Sequence, residues 1–262
     1  IPTGGTTLPT LPANFGEPAI HDGRMYEEFP TSGVAVMRAP PGQYRLVVSR
    51  GFEYELYDQP VTVTAGMAVN AAVALRRVVD TSGWLSMDGH VHGENSIDSS
   101  MALRDRVLSA AGEGVEIAIS TDHNFISDWR PLLDSLRLRP WMTSFVGIEF
   151  TTLESGHFNS YPLNYQVGPV THGAFEWFGR PPEELFAGLR KIAEPNQTNI
   201  IVCNHPRDST QGYFNQYGRS SITGDFVSQG TSKRLAGPNG LAFYDAQGKN
   251  QLSYKCDAIE IV

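Results

Sequence analysis

The sequence predicts an α/β protein, a β/α barrel preceded by a small antiparallel β-sandwich. Three observations lead there. From Gly83 onward, apolar β-branched runs alternate with helical patterns, which implies a mainly parallel sheet or barrel. Between about Gly23 and Leu75, short strand-like runs are punctuated by turn residues, with no helical pattern between them. Finally, Asp88-Gly89-His90-Val91-His92, Thr121-Asp122-His123, Gly147-Ile148-Glu149 and Asn204-His205-Pro206 each close an apolar run. In a β/α barrel the C-terminal strand ends open onto one mouth, so these side chains would meet there.

The 262 residues suffice for one large or two modest domains. Lys plus Arg number 20 against 28 for Asp plus Glu, a net charge of −8, and there is no basic run. That balance argues against nucleic acid as a partner. No apolar stretch approaches membrane-spanning length, so no membrane partner is expected. The chain opens at Ile1 without a signal peptide, as a processed or trimmed piece would. A secreted or periplasmic location is favoured over a cytoplasmic one. Cys203 and Cys256 are too few for a disulfide framework.

Residues 1–14 are rich in Pro, Thr and Gly without a period and read as a linker. The sandwich is assigned to residues 15–82. Its strands include Val34–Met37, Tyr44–Val48, Tyr54–Tyr57 and Val61–Val63, with turns at Pro40-Pro41-Gly42, Gly51 and Ala65-Gly66. The barrel is assigned to residues 83–262. Its first strand is Trp84–His92, followed by a helix over Met101–Ala111 that Gly112 and Gly114 stop. The second strand is Val115–Ser120 and the second helix covers Trp129–Leu138. Strands follow at Ser144–Phe150 and Gly156–Leu163. A helix over Pro181–Ala193 opens with proline, where a missing N–H costs nothing. Two more strands, Asn199–Cys203 and Asp257–Val262, complete the pattern.

Two stretches lack a period. Residues 164–180 carry Tyr165, His172, Phe175, Trp177 and Phe178, and residues 207–253 carry Tyr213, Phe214, Tyr217, Phe243 and Tyr244. Long aperiodic loops are usually functional or disordered. Beside the mouth where the histidines and Glu149 would meet, aromatic loops suit a substrate pocket; a surface cap over the barrel is the plainer alternative.

His90 and His92, two apart at a strand end, point to one face. A lone histidine there is more often a hydrogen-bonded core residue, but a pair at this spacing suits ligation of one ion. Asp122 either touches metal, orients the next imidazole or opens an Asx turn. Glu149 must be paired, solvated or metal-bound, and one carboxylate can offer an oxygen to each of two cations. His157 follows Gly156 at a strand start, and His205 follows Ile200–Cys203. His21 and His172 read as ordinary polar residues. No G-x-G-x-x-G after a strand, Walker A or G-x-S-x-G offers a rival chemistry.

His90-Val91-His92, Thr121-Asp122-His123, Gly147-Ile148-Glu149 and His205-Pro206 resemble four motifs of the PHP (polymerase and histidinol phosphatase) metal-dependent hydrolases. Ser49–Tyr54, Gly156–Asn159 with Tyr161-Pro162-Leu163, and Asp257–Ile261 resemble the CehA/McbA, carbaryl hydrolase-like, branch. Pro40–Leu46 is similar to carboxypeptidase-regulatory-like modules. The resemblance implies a distorted seven-stranded β/α barrel, TIM-like, holding two or three divalent ions, Zn, Mn or Fe. It gives His90, His92 and Glu149 to one ion; Glu149, His157 and His205 to a second; Asp98 and His123 to a third. No Asp-x-His follows the strand Asp257–Val262, where the family carries its closing one, so the resemblance implies that the last strand comes from a longer polypeptide or a second chain, or that the site is defective.

The leading expectation is therefore a metal-dependent hydrolase acting on a small molecule. A water bridging two cations is deprotonated near neutral pH and attacks an electrophilic carbonyl or phosphorus. Glu149, Asp122 and Arg207 are the expected catalytic residues, with Arg207 binding an anionic group or the developing oxyanion. A surface ion pair is the plainer role for Arg207. The branch resemblance implies a carbamate, ester or amide substrate, with an aryl carbamate favoured. A phosphoester is the alternative. A non-catalytic PHP-like binding module is the alternative of another class.

Overall fold

A computed structural model describes residues 27–153, 155–217 and 251–261. The expected linker over residues 1–14, His21, Phe243, Tyr244 and Val262 lie outside these residues. The N-terminal strands form a single ribbon: β1 (Gly42–Val48) and β2 (Tyr57–Val63) pair antiparallel, with Tyr44 opposite Val61 and Arg45 opposite Pro60. Tyr54 and Arg77 add an isolated bridge. The strand expected at Val34–Met37 is unpaired, with Val34 71% and Val36 82% exposed. Where two packed sheets were expected, the described residues thus hold one two-stranded sheet. Pro60 has no N–H to offer a further strand, which suits it to an edge. The ribbon meets the rest of the chain at Gly51, whose φ is +70° and whose absent Cβ would lie 2.0 Å from the Glu113 carbonyl oxygen.

Beyond the ribbon, β3 (Met87–Val91), β4 (Ile117–Ser120) and β5 (Thr143–Val146) make a parallel three-stranded sheet in the order β3-β4-β5. Helices α1 (Leu103–Gly112) and α2 (Arg130–Ser135) connect them. Val107, Leu108 and Leu133 from these helices pack with Val91, Ala118 and Trp129 in one core cluster. Burial on this scale stabilises by ~1.5–3 kcal/mol per large apolar side chain.

The second sheet runs β6 (Ile148–Thr152), β7 (Gly156–Tyr161), β8 (Ile200–Cys203) and β9 (Ala258–Ile259). Contrary to the mainly parallel sheet expected, β6–β7 and β7–β8 are antiparallel, and only β8–β9 is parallel. The link from Thr152 to Gly156 is far too short for a parallel crossover and closes a hairpin instead. Helix α3 (Pro182–Lys191) has proline at its start, Glu183 and Glu184 in its first turn, and Arg190 and Lys191 in its last. That charge order matches the helix dipole. Its Leu185, Phe186 and Leu189 join Phe150, Phe158 and, from α4 (Tyr213–Gln216), Tyr213 in the second core cluster. Phe158 lies edge-on to Phe186 at 5.0 Å and to Tyr213 at 5.1 Å, a favoured aromatic arrangement.

Neither of these sheets closes into a barrel among the described residues. The strand expected to run unbroken over Ser144–Phe150 divides at Gly147. A Cβ there would lie 2.8 Å from the Ser120 carbonyl oxygen and 3.1 Å from that of Ser160, so two backbones close in on this residue. The sheets meet at this corner through isolated bridges, His123 to Glu149 and Ser127 to Gly147.

Candidate metal centre

Strand β3 delivers His90, and His92 follows just past its end; their rings stack with centroids 5.1 Å apart. Both present Nε2 to Glu149 Oε2, at 3.3 Å from His90 and 3.0 Å from His92. Their Nδ1 atoms face other carboxylates: Glu260 Oε1 at 3.0 Å from His90, and Asp98 Oδ1 at 3.0 Å from His92. Ser96 Oγ donates to Asp98 Oδ1 at 2.7 Å and fixes it.

His123 follows β4 in a loop pinned by Asn124. The Asn124 side chain accepts the Thr151 N–H at 2.9 Å and donates to the Thr151 carbonyl at 2.7 Å, while its backbone holds a φ of 51°. This clamp is effectively a side-chain rung of sheet, and it aims His123 at β6. His123 Nδ1 lies 3.1 Å from Glu149 Oε2, and its Nε2 lies 3.3 Å from Asp98 Oδ2.

Glu149 is 1% exposed, and its two oxygens face different groups. Oε1 lies 3.0 Å from His157 Nδ1 and 3.4 Å from His205 Nε2, and accepts a hydrogen bond from Asn204 Nδ2 at 3.0 Å. Asn204 is itself held by Asn159, whose own amide donates to the Gly89 carbonyl on β3. Oε2 faces the His90, His92 and His123 rings, yet has no hydrogen-bond partner. His205, just past Asn204, has a φ of 25° that non-glycine residues seldom adopt.

Among the described residues, three groups present ligand atoms within 4.8 Å of one another: His90, His92 and Glu149; His92, Asp98 and His123; His123, Glu149 and His157. The donor set is nitrogen and carboxylate oxygen, which suits zinc and other first-row divalent ions. The buried Glu149 Oε2, His157 Nε2 and His205 Nδ1 atoms all lack hydrogen-bond partners. Buried polar atoms are normally satisfied, so the unpartnered Glu149 Oε2, which faces three imidazoles, fits a cation that would engage it.

The local electrostatics point the same way. Burial opposes ionisation of Glu149, but the surrounding imidazoles, His157 foremost, hold its carboxyl far below the usual range. Burial likewise disfavours charge on His90, but Glu149 and Glu260 outweigh it and raise it to about 9. For Asp98, burial is outweighed by His92, Ser96 and His123, which bring it down to about 2. His123 is lowered by burial and by the neighbouring His92 and His157, against the pull of Glu149 and Asp98.

Two expected catalytic residues lie elsewhere in the network. Asp122 is fully buried, with Oδ1 accepting the Gly93 N–H at 2.7 Å and Oδ2 accepting the Ser127 hydroxyl. Its carboxylate ties the turn after β3 to the loop after β4. Arg207 is exposed, its guanidinium 5.3 Å from the centre of the Phe214 ring, and its carbonyl accepts from Asn215. His172, read as an ordinary polar residue, stacks on Tyr165 at 4.5 Å and meets Phe125 edge-on at 5.0 Å.

Sequence reasoning gave no role to Glu260 or to the Asn159–Asn204 pair. For Glu260 a signal existed: it is a lone charge within Ala258-Ile259-Glu260-Ile261, and a carboxylate in an apolar strand end needs a partner. The asparagines carried none, because nothing in their spacing shows that both reach toward Glu149.

No family model matches the chain, and no curated protein matches it. The chain is similar to a solved structure, a two-domain protein from Bacteroides vulgatus ATCC 8482 described as containing a predicted PHP-like metal-dependent phosphoesterase. The identity is 20% and the TM-score 0.36, over 55% of this chain and 39% of that one, so this chain spans about two fifths of its neighbour's length.

Proposed function

We propose that this chain is a metal-dependent hydrolase in which Glu149 bridges two divalent cations, Zn, Mn or Fe. The observation that carries the reading is the division of the carboxylate: Oε2 faces His90, His92 and His123, while Oε1 faces His157 and His205. One cation would be held by His90, His92 and Glu149, and a second by Glu149, His157 and His205. Asp98, with His92 and His123, would supply a third position. Divalent ions in such a site activate water as a nucleophile and polarise the oxygen that gains charge. Glu149 supplies the fixed negative charge at the centre, and Asn204 orients it. The buried walls strengthen these interactions by excluding solvent.

For the substrate we propose a carbamate, ester or amide. The Phe125–His172–Tyr165 aromatic group, which begins two residues beyond His123, supports a planar leaving group. A phosphoester is the competing substrate class, favoured by the number of cationic or metal-holding groups that would face its anionic oxygens. Purified protein loaded with Zn, Mn or Fe, assayed on 4-nitrophenyl esters, aryl carbamates and aryl phosphates, tests both. Turnover of the carbonyl substrates above the phosphates is the expected result. The reverse order would establish the phosphoester reading, and no turnover by metal-loaded protein on any of them would contradict the enzyme reading.

A further inference from the structure

We propose that Glu260 is a positioning residue of this centre, a single carboxylate that sets the His90 ring with one oxygen and the His205 backbone with the other. The inference rests on the metal-binding reading above and extends it to a residue from the far end of the chain. Oε1 lies 3.0 Å from His90 Nδ1, and Oε2 accepts the His205 N–H at 2.7 Å. The partners are 170 and 55 residues away in sequence, at the ends of β3 and β8. Strand β9 makes this reach possible: Ile259 pairs with Cys203, and the Glu260 N–H donates to the Cys203 carbonyl at 2.9 Å.

An ionised carboxylate can only accept, so His90 must carry its proton on Nδ1 to make this bond. On a neutral His90 ring, as metal ligation requires, that leaves the Nε2 lone pair free, and Nε2 is the atom turned toward Glu149 Oε2 at 3.3 Å. His92 has the same wiring, with Nδ1 on Asp98 and Nε2 toward the same Glu149 oxygen. A carboxylate behind a ligating imidazole fixes both its tautomer and its orientation. The second oxygen has a different task. His205 is held at a φ of 25°, an arrangement that persists only when surrounding contacts enforce it. The Glu260 Oε2 bond is one such contact. Glu260 therefore joins the two strand ends that would contribute to different cations, where no backbone ladder joins β3 to β9.

The test compares wild type, E260Q and E260A by zinc competition against a chromophoric chelator, with long-range proton–nitrogen NMR of the histidine rings and thermal melting alongside. E260Q keeps an acceptor of the same size and should fold even if E260A does not. The expected result is a ~10–100-fold weaker zinc affinity in E260Q, the usual cost of losing such a partner. The His90 signal should also change from a fixed Nδ1–H tautomer to a mixture. Unchanged affinity and an unchanged His90 tautomer in folded E260Q would overturn the proposal. So would a lowered melting temperature with full zinc affinity, which would make Glu260 a structural clamp alone. Wild-type protein that binds no zinc would instead overturn the metal-centre reading itself, a result distinct from either.

Discussion

His157 Nδ1 reaches to 3.0 Å of Glu149 Oε1 from the neighbouring strand of an antiparallel hairpin. His157 stands opposite Thr151 and Glu149 opposite Asn159, so the contact is diagonal across one face of the sheet.

E149Q should fold and lose metal. Gln preserves the shape but offers one neutral oxygen where the cluster presents groups to two. Metal affinity should fall by more than the ~10–100-fold seen for partners behind a ligand. Elemental analysis after dialysis checks it, and E149Q with wild-type metal content would remove Glu149 from the centre.

Chelation should destabilise the protein. A cation bound at ~100 times its dissociation constant adds about 2.7 kcal/mol to the folded state. For a chain of this size that corresponds to roughly 5–10 °C in melting temperature. Calorimetry before and after EDTA, then with zinc restored, measures it; an identical melting temperature throughout would show that the native state holds no cation.

D122A should behave as a stability variant. It strands the buried Gly93 N–H and Ser127 hydroxyl, each costing about 1–3 kcal/mol. Denaturant unfolding reads the loss. A folded D122N with wild-type stability and no turnover would return Asp122 to a direct catalytic role.

G147A should cost about 1–3 kcal/mol, because its Cβ would press on the Ser120 carbonyl oxygen at 2.8 Å and on Ile119 Cγ2 at 2.9 Å. The same variant should weaken metal binding, since Glu149 lies two residues along. A neutral G147A would show that this corner has room to relax.

Much of this arrangement is legible in the residues. The run Ile117–Ser120, the helix stop at Gly112 and Gly114, and the proline that opens α3 mark elements the structure contains. His90 and His92 share a face because strand side chains alternate. The direction of β7 was also readable, since only three residues separate Thr152 from Gly156, too few for a crossover. The break at Gly147 was not, because it depends on the Ser120 and Ser160 carbonyls closing in from other strands. Asn204 escapes for the same reason, and the lone charge of Glu260 signals only that it needs a partner, not that the partners are His90 and His205 on strands distant in sequence.

The central claim is that Glu149 holds a separate cation on each oxygen, and anomalous diffraction tests it most directly. Crystals grown with zinc and measured on both sides of the zinc absorption edge should show two peaks flanking Glu149, at the ~2.0–2.2 Å typical of zinc–carboxylate bonds. One should lie among His90, His92 and Glu149 Oε2, and the other among His157, His205 and Glu149 Oε1. No peak beside Glu149, or a single ion touching only one of its oxygens, would contradict the account.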